Sequence, residues 1–312
     1  MKNILLDTDI SGDCDDAGAL AVLHSFANRG EARLLACVVN GRDRDASSGA
    51  VVWAINSYYG RGDIPIGTYH GEAERTNSCY TLAIRQRFAP DYPLDMELPS
   101  ALGVIRRTLA AAADGSITIL SIGFLHNLRD LIESGPDDSS SCSGVALVRR
   151  KVKELILMGG AFPTSLNTEP EYNFAWGGVA PITSAVLEKW PTPIIFSGFE
   201  LGRAVITGTG LAKTPPHNPV RMAYSLYPVE SGYALEGGRY SWDQTVAWIG
   251  VRGVDGLWNL SEPGICRVLN DGHNEWKPAE DGAHYYIKEA LPAETVAGLI
   301  EVEMAALPQV AG

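Results

Sequence analysis

Five short apolar runs of strand character recur along this chain: Asn3–Asp9, Ala32–Asn40, Ser116–Gly123, Glu154–Gly160 and Thr192–Gly198. Helix-like stretches separate them: Asp15–Ala27, Ala46–Tyr59, Ala101–Ala113, Leu125–Ser134 and Val179–Lys189. A continuous apolar run has no polar face to turn to water, so each strand must be covered on both sides. Such strands alternating with helices predict an α/β fold, an open doubly wound mostly parallel sheet. The tail departs from this pattern. Ile265–Leu269, Asn270-Asp271-Gly272 and Asn274–Lys277 predict a small C-terminal β-hairpin with a Gly-containing turn, and residues 292–307 a closing helix. Residues 135–144 read as a solvated polar connection. With no internal repeat and no break in composition, residues 1–312 read as one domain.

Charge narrows the partners. The chain has 37 acidic and 25 basic residues, a formal net charge of -12. That surplus repels phosphate backbones, and the basic groups Arg42–Arg44, Arg106–Arg107 and Arg149–Lys153 are short and scattered, so no nucleic-acid partner is expected. No run approaches the roughly 18 apolar residues of a membrane span. The N-terminal run Ile4-Leu5-Leu6 ends at Asp7, too short for a secretory signal. Cys14, Cys37, Cys79, Cys142 and Cys266 are odd in number, widely spread and without a CxxC pair, as reduced structural thiols would be. A cytoplasmic location is the expectation.

The acidity is concentrated after the first strand. Asp7-Thr8-Asp9-Ile10-Ser11-Gly12-Asp13-Cys14-Asp15-Asp16 places five carboxylates in ten positions, between a buried-type strand and a helix. In open α/β sheets, ligands bind at the carboxyl ends of strands. Crowded carboxylates repel one another and need a cation or hydrogen bonds to compensate, and hard oxygen donors favour Ca²⁺ or Mg²⁺. Helix capping alone explains one or two aspartates, not five. An EF-hand loop counted from Asp7 fails because its twelfth position is Gly18 and a strand precedes it. Asp7-Thr8-Asp9 also resembles the start of haloacid-dehalogenase-like phosphatases, a weaker match without a partner lysine.

The strand–Asp-x-Asp–Gly–Asp-Asp-Ala–helix pattern resembles the inosine-uridine-preferring nucleoside hydrolases. Four further segments carry the resemblance in order. They are Gly123-Phe124-Leu125-His126-Asn127-Leu128, Met158-Gly159-Gly160-Ala161, Glu171-Tyr172-Asn173 and Ser241-Trp242-Asp243. Together the markers span residues 3 to 251. The resemblance implies calcium-dependent hydrolysis of the N-glycosidic bond of ribonucleosides, a place in purine and pyrimidine salvage, one Ca²⁺ per subunit, and a dimer or tetramer. It implies Asp9 as metal ligand and general base, Asp16 and Asp243 as further ligands, and the backbone carbonyl of His126 as another. Asp15, Asn40, Glu171 and Asn173 would meet the ribose, and Glu200 stands near the same crevice. Hydrolysis of this kind passes through a ribosyl oxocarbenium ion, which negative charge and an activated water favour.

Two departures bear on the chemistry. The Asp9–Asp15 spacing is two residues longer than in the best-known members, with Asp13 inside it, so the ribose role is open between Asp13 and Asp15. Where some members carry a histidine that protonates the departing base, this chain has Trp242. An indole cannot act as an acid, but it stacks on a base. A non-catalytic, metal-dependent nucleoside or sugar binder is therefore the alternative. His24 reads as a core residue, and His70, His217, His273 and His284 as solvated. Trp53, Trp176, Trp190 and Trp248 read as core or pocket wall.

Overall fold

Lys2–Thr8 forms strand β1, and its continuous apolar character sends it to the middle of a sheet, buried from Ile4 onward. The computed structural model describes residues 1–40, 43–254 and 256–309; Gly41 and Arg42, from the Val-Val-Asn-Gly-Arg and Arg42–Arg44 segments, lie outside the described residues. Strands β2 (Ala32–Val39), β3 (Ile66–Thr68), β4 (Ile117–Ile122), β5 (Val152–Met158) and β6 (Ile194–Ser197) join β1 in parallel, in the order β6-β5-β4-β1-β2-β3. The chain winds outward from β1 in one direction through β2 and β3. It then crosses back to β4 and winds the other way. The topological switch point therefore falls between β1 and β4, where a crevice must open at the carboxyl ends.

The tail continues this sheet. His284–Glu289 pairs parallel with β6, Gly264–Val268 and Asn274–Pro278 form the expected hairpin, and Gly264 pairs with His284. The hairpin is thus the far edge of the main sheet. It follows that His284 is not solvated as its position in the tail suggested. It is buried in a strand, and its Nδ1 accepts the Cys266 N–H at 3.0 Å. The closing helix, Ala293–Met304, docks on α1 (Asp15–Asn28). Glu303 there accepts from the Ser25 hydroxyl at 2.7 Å and pairs with Arg29. Among the described residues, no helix is long and apolar enough to cross a membrane.

The connection at 135–144 is likewise more than a solvated link. Arg106 is only 1% exposed and reaches into that loop. Its guanidinium donates to Asp137 at 2.7 Å, to Ser134 at 2.8 Å and to the Cys142 carbonyl at 3.0 Å. A buried arginine needs such partners, because its charge cannot be given up.

Candidate active site at the switch point

Because β1 ends at Thr8, successive side chains there point to opposite faces. Asp7 is fully buried within the sheet. It accepts from the amides of Asn127 at 2.8 Å and Asn40 at 3.1 Å and from the Ser121 hydroxyl at 2.9 Å. Burial outweighs these bonds and pushes its pKa up to about 7. The folded-state value lies above the ordinary 3.8, so this group's stabilising contribution is full below pH 3.8 and is lost as pH rises through about 7. The difference corresponds to roughly 4 kcal/mol at 1.4 kcal/mol per pH unit. We expect Asp7→Asn to gain stability relative to the wild type as pH rises from 4 to 8. Thermal melts across that range check it; a constant offset contradicts it.

Asp9 follows the strand end, half-buried and lining the crevice. Gly123, at the end of β4, makes room for it: a Cβ there would lie 2.7 Å from the Asp9 carboxyl carbon. This close approach is why the segment after β4 begins with glycine. Asp15 and Asp16 occupy the first turn of α1, whose N-cap residue Cys14 makes no side-chain cap bond. Thr8 donates its hydroxyl to Asp16. Asp243 arrives from the first turn of helix Trp242–Arg252, which packs along α1. That packing depends on Gly18, whose Cβ would come within 2.5 Å of Gln244.

The result is a convergence from distant parts of the chain. Asp15, Asp16 and Asp243 are all buried, and each offers a carboxylate oxygen within 4.8 Å of the others. Burial raises the pKa of all three, and their mutual repulsion, together with the nearby charge of Asp9, raises them further. The Asp243 backbone N–H, 3.4 Å from Asp15, compensates little of this.

These carboxylates floor a cavity of about 390 Å³, a volume that suits a small ligand. Glu171 and Asn173 line it as expected. The Glu171 carboxylate, however, also caps the short helix Tyr172–Ala175, accepting N–H groups of Asn173 at 3.0 Å, Gly160 at 3.1 Å and Phe174 at 3.2 Å. Burial holds its pKa up at about 7. Trp242 forms another wall, stacked on Phe199 with centroids 5.3 Å apart, and its indole N–H donates to the Phe199 carbonyl at 2.8 Å.

Three expected residues sit elsewhere. Asn40 is fully buried and does not line the cavity; its amide hydrogens go to Asp7 and the Thr8 carbonyl, both at 3.1 Å. The direct ribose contact expected of it is therefore replaced by a hold on the end of β1. His126 opens the helix His126–Glu133, its imidazole packed beside Tyr69 with centroids 5.0 Å apart. Glu200 accepts the Phe162 N–H at 3.2 Å and tethers that loop instead of lining the cavity. What the sequence reading missed is Arg239, which lines the cavity and pairs with Asp13. Its only signal was a place four residues before Asp243.

The doubly wound sheet with this crevice is the nucleoside hydrolase-like fold. Among solved structures, a plant nucleoside hydrolase superposes with a TM-score of 0.71 at 18% identity, covering 98% of this chain and 99% of that one. The inosine-uridine preferring nucleoside hydrolase of Bacillus anthracis gives 0.64 at 16%, again covering 98% and 99%. The type III effector protein XopQ, solved with adenosine diphosphate ribose, gives 0.70 at 14%, covering 97% of this chain and 93% of that one. No known family's sequence profile and no curated protein sequence matches the chain.

Proposed function

We propose that this chain, as one domain, hydrolyses the N-glycosidic bond of ribonucleosides to ribose and free base, with a calcium ion in the acidic cluster. The observation that carries this is the set of three buried carboxylates beside Asp9, at the switch point of a nucleoside hydrolase-like fold. The donor set fits a hard divalent cation. It consists of oxygens alone, crowded in a buried place where the protein compensates their repulsion only in part. Calcium suits it better than magnesium because calcium tolerates irregular arrangements of carboxylates and carbonyls. Asp9, Asp16, Asp243 and the His126 carbonyl would hold the ion. Such an ion supplies a lowered pKa to a nearby water and a grip on vicinal hydroxyls.

The remaining chemistry belongs to the protein. Asp9, the half-buried carboxylate of the group, takes the proton of the attacking water. Asp15 accepts from the ribose hydroxyls, and Asn173 and Glu171, which line the cavity, hold the rest of the sugar. The fixed negative charge favours the oxocarbenium-like transition state over the neutral nucleoside. A structure of this fold solved with adenosine diphosphate ribose supports a ribosyl ligand. The likeness to nucleoside hydrolases supports a cytoplasmic place in nucleoside salvage and a homo-oligomeric assembly. The test is release of ribose from a nucleoside panel by the purified protein. We expect turnover; ribose affinity without turnover would instead identify a non-catalytic binder.

A further inference from the structure

Beside the carboxylates the cavity carries one cationic side chain, Arg239, in the short strand Arg239–Tyr240, which pairs with Ile206–Thr207. Its Nε donates to both oxygens of Asp13, at 3.1 and 3.0 Å, and its Nη2 donates to the same carboxylate. The guanidinium carbon stands 5.2 Å from the Tyr227 ring and 5.1 Å from each of the Tyr240 and Trp242 rings. A carboxylate on one edge and aromatic rings around it fix the orientation of the group, which is only 20% exposed. Its Nη1 donates to no protein group among the described residues, and the side chain lines the cavity.

A preorganised donor at this place, next to the stacking face of Trp242, bears on the step for which the chain lacks a histidine. Resting on the hydrolase reading above, we propose that Arg239 is the catalytic residue that receives the departing base. Its Nη1 donates to an acceptor atom of the base, and the guanidinium stabilises the negative charge that develops as the C1′–N bond breaks. The electron pair of that bond leaves with the base. Water supplies hydroxyl to C1′ and its proton to Asp9, and the base anion takes a proton from solvent after departure. Arginine stays protonated in proteins, so this is stabilisation of the anion and not acid catalysis. Asp13 cancels the net charge of the pair. A free anion such as phosphate therefore gains less here than at an unpaired arginine, whereas a base held by a directed N–H donor keeps that bond, and it strengthens as the base becomes negative. Asp13 thus serves the base and Asp15 the sugar.

The experiment compares Arg239→Ala and Arg239→Gln with wild type on uridine, inosine and p-nitrophenyl riboside, with thermal melts to confirm folding. Nitrophenolate is already a stable anion and needs no help to leave. We expect kcat/KM for the nucleosides to fall about 100-fold in the alanine variant, with p-nitrophenyl riboside within about fivefold of wild type. Glutamine, which keeps a neutral donor, should recover part of the nucleoside loss. Equal losses on all substrates in a folded variant, or unchanged nucleoside turnover, overturn the proposal. If wild type cleaves neither class of substrate, the hydrolase reading itself fails.

Discussion

Asp9→Ala should lower ribose release from nucleosides by a thousandfold or more, as expected when one group both takes the proton of water and helps to hold the cation; removing a general base alone costs about 10²–10⁴. The same variant should fold normally. Asp9 is half-buried at a strand end, and its close approach to Gly123 is not disturbed by a smaller side chain. Kinetics on the folded variant therefore separate a catalytic aspartate from a structural one. The loss should lie in kcat and not in KM, since Asp15, Glu171 and Asn173 still line the cavity. Turnover within tenfold of wild type contradicts the assignment.

The second large effect concerns the cation. Without it, Asp15, Asp16 and Asp243 are held within 4.8 Å with their pKa values raised, so ionising them in the fold is unfavourable. A raised folded-state pKa means stability is lost as pH rises, so the cation-free protein should melt lower at pH 8 than at pH 5. Calcium at a thousand times its dissociation constant contributes about 4 kcal/mol, which is a shift on the order of 10 °C for a chain this size. Asp243→Asn removes one of the repelling charges while keeping the shape. It should melt at least as high as wild type in chelator at pH 8, yet show little response to calcium. Differential scanning calorimetry in the two conditions reads both outcomes, and a calcium response equal to wild type contradicts the ligand set.

What could be read from the sequence follows physical rules. The parallel strands were legible because β1, β2, β4 and β5 are buried on both faces and so are continuously apolar. β3 is only three residues long and the helix Thr81–Phe88 is half-exposed, so neither leaves a periodic pattern. The convergence of helix Trp242–Arg252 on α1 is a different matter: Asp243 could be placed beside Asp15 and Asp16 only through the ordered resemblance, because its approach depends on Gly18 against Gln244. Asn40 was seen as a site residue, but whether an amide turns to a ligand or to Asp7 depends on packing that the sequence does not express. Arg239 was missed for the same reason. Its partner Asp13 lies 226 positions away, and no local pattern marks the pair.

The central claim is that the acidic cluster holds a divalent cation that this chain needs to cleave N-ribosides. The measurement that tests it most directly is ribose release from inosine and uridine before chelation, after exhaustive chelation, and after calcium is returned. The account predicts turnover, its loss, and its recovery. Ribose release that survives chelation undiminished, or none under any of the three conditions, would contradict it.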